Sequence, residues 1–229
     1  QFKQATGAAN LTISHFDPAA LDTRLRPARL DGKATLSGDV QAQRGVISLG
    51  AGTLRLDARL ARGGDILSLD SLRLARGRAV LTGQGRLGLD AGRPFAFKGE
   101  LQHFDLSAFL QAAPRSDLNA RLELAGALAP QTSGTLRYAI GNSQLAGQIV
   151  SGSGQIGFSR MNRASGEAEL RLGDNRLNAR GGYGSPGERL NLTLAAPALA
   201  QLGPGFGGAL NAHATLVGSP SEPDMAFEM

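Results

Sequence analysis

Apolar and polar residues alternate with a period of two along most of the chain. Successive side chains of a β-strand point to opposite faces, so each alternating segment predicts a strand with one apolar face and one polar face. The predicted apolar set, which would line any groove that this face forms, is Leu54, Leu56, Leu72, Leu74, Phe95, Phe97, Leu122, Leu124, Leu136, Tyr138, Ile140, Ile156, Phe158, Leu170, Leu172, Leu190, Leu192 and Leu194.

Turn signals separate these alternating segments, which predict strands of roughly 5–9 residues. Examples are the segments 62–65 (RGGD), 90–94 (DAGRP) and 184–187 (GSPG). The chain has 32 glycines, roughly double the usual share. Since glycine readily adopts the positive φ angles of tight turns, we expect many antiparallel strands joined by short turns.

Three segments depart from the alternation and predict one or two turns of helix. They are 18–25 (PAALDTRL), 106–113 (LSAFLQAA) and 196–202 (APALAQL). Asp17 and Asp105 stand at the expected N-cap positions, and Pro18 fits the first helical position.

The three helical segments belong to a long internal repeat. Residues 14–21 (SHFDPAAL) resemble residues 102–109 (QHFDLSAF), whereas the third copy has Ala196-Pro197 where Phe-Asp stands in the others. Similar strand segments follow each copy and end at Gly38, Gly126 and Gly218, which gives spacings of 126 − 38 = 88 and 218 − 126 = 92 residues.

A second pair of similar segments, 72–88 and 170–184, occurs in the same order. We therefore expect one repeat-built segment over residues 1–229, with units of roughly 14–101, 102–195 and a partial 196–229. The period of about 90 residues exceeds that of the familiar solenoid repeats, which is about 20–50 residues. Each unit would hold one helical turn and six or seven strands.

Composition and short motifs predict no catalytic, metal-binding or cofactor-binding site. The chain has no cysteine and only three histidines, which are too scattered for a zinc site of the HExxH kind. Its net charge is +5, but the arginines are spread singly, often beside Asp or Glu, so no nucleic-acid partner is predicted. The glycine motif at 83–88 is followed by another strand-like segment rather than a helix, which argues against dinucleotide binding. We expect no enzyme activity, no catalytic residues, no metal and no cofactor.

No stretch approaches the roughly 20 apolar residues that span a bilayer as a helix. The chain begins at Gln1 without a recognisable leader. We therefore expect a piece of a larger protein whose anchors and targeting signals lie elsewhere.

The combination of a short Phe-Asp helix, strands that end in Leu-x-Gly and a glycine-rich alternating run resembles the AsmA-like superfamily, most closely its TamB branch. The residues that carry the resemblance are Phe104-Asp105, 118–126, 170–184 and 190–197. The resemblance extends over essentially the whole chain.

This resemblance implies an all-β fold, a long antiparallel sheet curled lengthwise into an open groove (a β-taco) with an apolar interior. It implies a protein in the periplasm of a Gram-negative bacterium, anchored in the inner membrane, and a partner of the TamA kind, an Omp85-type outer-membrane barrel. It also implies phospholipid acyl chains as ligands and a role in autotransporter and outer-membrane protein assembly.

The residues themselves leave alternatives open. The apolar side chains could line a groove or fill the core of a two-sheet sandwich. A groove would shield acyl chains, whereas an exposed strand edge could template incoming strands of outer-membrane proteins by β-augmentation without lipid transport. A structural spacer or surface adhesin with a filled β-solenoid core is a third interpretation.

Overall fold

Antiparallel strands make up nearly all of the structure, a computed structural model that describes residues 6–159, 163–185, 187–203, 205–219 and 222–228. Within these ranges the strands are β1 (Gly7–Phe16), β2 (Leu30–Gly38), β3 (Ala42–Ala51), β4 (Leu54–Gly63), β5 (Ile66–Arg76), β6 (Ala79–Gly88), β7 (Pro94–Phe104), β8 (Ser116–Ala127), β9 (Ser133–Leu145), β10 (Gln148–Ser159), β11 (Arg163–Leu172), β12 (Asn175–Tyr183), β13 (Arg189–Ala196), β14 (Leu210–Ser219) and β15 (Glu222–Glu228). Most are longer than the predicted 5–9 residues, because glycines that were expected to mark turns lie within strands.

All fifteen described strands belong to one sheet, in which each strand pairs with its neighbours in sequence. Within the described part of the chain, β1 pairs only with β2 and β15 only with β14, so the sheet is open. The structure thus has one sheet rather than the two of a sandwich, and the predicted all-β antiparallel class is confirmed.

Three short 3₁₀ helices interrupt the strands, at Pro18–Ala20, Leu106–Ala108 and Leu199–Leu202. They lie within the three predicted helical segments but are shorter than predicted. The first and second have the predicted N-caps, since the Asp17 carboxylate accepts from Ala19 N and the Asp105 carboxylate accepts from Ser107 N, each at 3.0 Å.

Each 3₁₀ helix lies in a longer connection between two strands. We call these connections the first helical loop (17–29), the second helical loop (105–115) and the third helical loop (197–209). All three leave the sheet at the same edge, because six strands separate one from the next. We call this edge the loop rim, and the opposite edge, which begins with the β2–β3 turn, the turn rim.

The first and second helical loops contact each other directly along the loop rim. Leu25 and Leu110 form an isolated antiparallel bridge, and Arg26 N donates to Phe109 O at 2.8 Å. Gln111 adds side-chain hydrogen bonds to Thr23 O and Leu25 O. Backbone therefore runs continuously along this rim from the end of β1 to the start of β8.

The third helical loop is held differently, as the replacement of Phe-Asp by Ala196-Pro197 would suggest. Its helix has no side-chain N-cap. Instead the buried Asn175, at the start of β12, accepts from Ala198 N and donates to Ala198 O. Gln201 completes the contact by accepting from Asp174 N at 2.8 Å.

Candidate functional site: the apolar face of the sheet

The register places all of the predicted lining residues on one face of the sheet, because residues paired across antiparallel strands point to the same side. Leu56 pairs with Leu74, Phe97 with Leu124, and Leu124 with Leu136. The same holds through β10 to β13, where Leu170 pairs with Leu177 and Leu177 with Leu194. We call this side the apolar face and the other side the polar face.

The apolar face is only partly covered. The solvent-accessible surface of the chain is 14842 Å² for 23.7 kDa, whereas a compact protein of this mass exposes about 9,800 Å². Seventeen of the eighteen predicted lining side chains are half-buried, and Leu170 is 38% exposed. An apolar surface of this extent without a second layer is typical of a binding surface.

Burial is uneven between the two rims. The buried hydrophobic residues are Leu30, Ala34, Leu49, Ala58, Ala79, Phe104, Ala120, Val150, Ala196 and Ala212, and the register places every one of them on the apolar face. Most lie within three residues of a strand end at the loop rim. The helical loops therefore cover the apolar face along that rim and leave the turn rim more open.

Several aromatic side chains of the apolar face lie flat over glycines of neighbouring strands. A Cβ on Gly83 would stand 2.7 Å from the ring of Phe97, and Phe97 also covers Gly85 and Gly99. Tyr138 lies over Gly154 in the same way. Phe95 and Phe158 cover Gly126 and Gly134. These strand glycines let the rings lie down on the sheet, so the face stays shallow where large side chains occur.

The glycine motif at 83–88 thus has a structural explanation. It lies within β6, and its first two glycines are under the Phe97 ring. In the structure this segment is a strand, whereas a dinucleotide fingerprint requires a turn that opens a helix.

Aspartate and histidine residues at matching positions of the first and second helical loops shape the loop rim. Besides capping its helix, Asp105 accepts from Ser116 N, and Asp17 accepts from Ala28 N, each 11 residues further along the chain. Burial raises the pKa of the Asp105 carboxyl, but hydrogen bonds from Ser116 and Ser107 outweigh it and lower that pKa. These carboxylates tie the start of each helix to the residues that lead into the next strand.

His15 and His103 stand just before the two loops, in β-bulges and with positive φ angles of 57° and 47°. A carboxylate or amide across the strand pair holds each backbone: His15 N donates to Asp31 Oδ1 at 2.8 Å, and His103 N donates to Asn119 Oδ1 at 3.0 Å. Both histidines thus have a structural role, at the junction between a strand and a 3₁₀ helix.

Charged side chains form rows on the polar face that run across the strands. Lys98 Nζ lies 2.9 Å from Glu123 Oε1, and Arg180 Nη2 lies 3.0 Å from Glu167 Oε2. A cavity of about 770 Å³ is lined largely by charged and polar side chains of this face, including Asp57, Arg73 and Lys98. Residues of the apolar face, such as Ala58, Leu72 and Leu122, also contribute to its lining.

Sequence reasoning missed several members of the apolar face. Leu60, Leu69, Leu81, Leu87 and Leu101 lie on it by register. Only Leu69 lies beyond a bulge, the one in β5 between Leu69 and Leu72, which shifts the alternation there. The other four continue the strict alternation of their strands, so the sequence pattern could have revealed them.

These features define a class of protein: an open, single-layer antiparallel sheet with one apolar face, one charged face and two unequal rims. No helix among the described residues is long and apolar enough to cross a membrane.

The chain belongs to the TamB family. The family model described as TamB, N-terminal domain, matches residues 50–229, which confirms the family predicted from the sequence. No curated protein and no solved structure matches the chain.

Proposed function

We propose that the apolar face is the interior of a groove that shields phospholipid acyl chains during transport between the inner and outer membranes. The observation that carries this proposal is the extent of the half-exposed apolar face, which continues through β1 to β14 without a second layer. Moving acyl chains through water costs roughly 0.8 kcal/mol per CH₂ group. A continuous apolar surface removes most of that cost while the head group stays hydrated.

The chemistry of the face suits movement along it. Its side chains are mainly Leu and Ala, which bind by buried area without directional contacts. The aromatic rings of Phe97 and Tyr138 lie flat over glycines rather than standing up as barriers. Binding would therefore be similar at successive positions, with no deep minimum in which a chain would stop.

Family membership supports a location and partners for this activity. We propose a periplasmic position in a Gram-negative bacterium, with the full-length protein anchored in the inner membrane. Through that full-length protein, the groove would work with an Omp85-type outer-membrane barrel of the TamA kind and would support autotransporter and outer-membrane protein assembly.

A second candidate function uses the edge of the sheet rather than its face. Most side chains of β1 are exposed, and within the described residues its outer edge has no partner strand. An unpaired edge can accept an incoming strand by β-augmentation. This edge could template strands of outer-membrane proteins without any lipid transport.

Site-specific photo-crosslinking in cells distinguishes the two functions. One probe replaces Leu124 on the apolar face, and its matched control replaces Glu123, the next residue on the polar face. The groove predicts lipid adducts at Leu124 and none at Glu123. Protein adducts, or no adducts, at Leu124 would contradict the proposed lipid-shielding groove. A proline in β1 that abolishes assembly, with lipid adducts unchanged, would favour strand templating.

A further inference from the structure

The apolar face excludes charge almost completely. Among the register-paired residues of β1 to β14, its only charged side chains are Arg62 and Arg76. The other paired charged residues, such as Asp57, Arg59 and Glu123, point to the polar face. Removing a charged side chain from water costs free energy unless it is paired, so Arg62 and Arg76 would each need a hydrogen-bond acceptor or an anion.

Arg76 has its partner within the fold. It lies at the last position of β5, at the loop rim. Its Nη1 donates to Ala108 O at the end of the second 3₁₀ helix, and Arg26 Nε donates to the neighbouring Ser107 O. Arg76 therefore fastens the second helical loop over the apolar face.

Arg62 lies at the opposite edge and has no such partner. It is the penultimate residue of β4, at the turn rim, and is exposed. It pairs in register with Gln43 on one side and Leu67 on the other, and Leu60 precedes it on the same face. Among the described residues, no hydrogen bond or ion pair involves its guanidinium.

Two carboxylates lie in the turns at this part of the rim. Asp65, in the β4–β5 turn, forms no ion pair with Arg62 among the described residues, and the carboxylate of the β2–β3 turn is already occupied. Asp39 accepts from both Gln41 N and Ala42 N at 2.8 Å. The hydrogen bonds from Ala42 and Gln41 lower the pKa of Asp39, so it stays ionised, bound to its own turn. The Arg62 guanidinium therefore has free hydrogen-bond donors, and it lies at the turn rim, where the apolar face meets the solvent.

We propose that Arg62 binds the phosphate of a lipid head group whose acyl chains lie on the apolar face; this inference rests on the proposed function. A guanidinium can donate two parallel hydrogen bonds to a phosphate. When chains cover Leu60 and Leu67, water is displaced from around Arg62, and an anion at this rim then compensates its charge. The helical loops cover the opposite rim, so the head group lies at the turn rim and the chains point towards the loop rim.

Two lipids with the same chains separate head-group binding from chain binding. Dioctanoyl phosphatidic acid carries the phosphate, and dioctanoylglycerol lacks it. Their dissociation constants are measured by equilibrium dialysis for the unaltered chain, for Arg62→Gln and for the matched control Arg59→Gln. Arg59 is on the same strand, exposed and likewise unpaired, but it faces the polar side.

The dissociation constant of phosphatidic acid should rise roughly three- to tenfold in Arg62→Gln and stay unchanged in Arg59→Gln. Dioctanoylglycerol should bind all three proteins equally. Equal losses for both lipids in Arg62→Gln, or equal losses of phosphatidic acid in the two variants, would overturn the assignment of Arg62 alone. If neither lipid binds the unaltered chain, the proposed groove function itself is wrong.

Discussion

Replacing Leu124 by arginine tests whether the apolar face is an open groove or a filled core. Leu124 is half-buried and lies near the middle of the sheet, between Phe97 and Leu136. Burying a leucine completely contributes roughly 1.5–3 kcal/mol, so losing half of that burial should cost about 0.8–1.5 kcal/mol. The long arginine side chain can extend into water, because no second layer covers the face.

A filled core predicts a much larger loss. An unpaired charge buried there would cost about 3–5 kcal/mol. The measurement is urea denaturation followed by far-ultraviolet circular dichroism. The matched control is Ala125→Arg, which adds the same side chain to the polar face of the same strand and should stay within about 0.5 kcal/mol. A loss of 3 kcal/mol or more in Leu124→Arg alone would refute the open-groove reasoning.

The same variant tests transport. Leu124→Arg should abolish lipid crosslinking from a probe at Leu136, its register partner on β9, because it places a charge in the path of the acyl chains. Ala125→Arg should leave crosslinking intact. Unchanged crosslinking in a stably folded Leu124→Arg protein would show that lipids do not pass over this part of the face.

Three further predictions concern the loop rim and the strand glycines. Phe104 is 7% exposed, and its ring stacks on that of Phe109 in the second helical loop, with 4.5 Å between the ring centroids. Phe104→Ala should therefore lower the free energy of unfolding by about 3–5 kcal/mol. The control Phe206→Ala, at a position that is 60% exposed, should lower it little. Because the pKa of Asp105 is lowered in the folded protein, its ionised carboxylate stabilises the fold at pH values above the unfolded pKa of about 3.9. This contribution disappears as the pH falls through the lower folded pKa. The free energy of unfolding should therefore fall less steeply with decreasing pH in Asp105→Asn, and an unchanged slope would contradict this. Gly126→Ala should destabilise the sheet, because the new Cβ would collide with a β9 carbonyl, whereas Gly63→Ala meets nothing within 4 Å and should be tolerated; equal thermal stability of the two variants would count against the close packing.

The regular part of the fold could be predicted from the sequence because it depends on local alternation. Segments such as Leu190-Leu192-Leu194 form a strand with the expected face, and Asp17 and Asp105 cap helices as their positions suggested. These features need only neighbours in sequence. Each strand also pairs with the next one, so the register repeats the local pattern.

Long-range features could not be predicted in this way. The contact between Leu25 and Leu110 joins residues 85 positions apart, and nothing in either segment specifies the other. Glycine was interpreted as a turn residue, whereas Gly83 and Gly99 lie within strands under the Phe97 ring. Arg62 follows Leu56, Ala58 and Leu60 in strict alternation, so its place on the apolar face could have been inferred, but its lack of a partner required the structure.

Because each strand pairs with the next one in sequence, every added strand lengthens the sheet by the same amount. Neighbouring strands lie about 4.8 Å apart, so the fourteen steps between fifteen strands span roughly 67 Å, and each added hairpin extends the sheet by nearly 10 Å. Hairpins add strands in pairs, so an insertion or deletion of one keeps every helical loop on its original side. A single-strand change would instead move all later loops to the opposite rim. Lengthening of such a protein through evolution or engineering should therefore proceed by even numbers of strands.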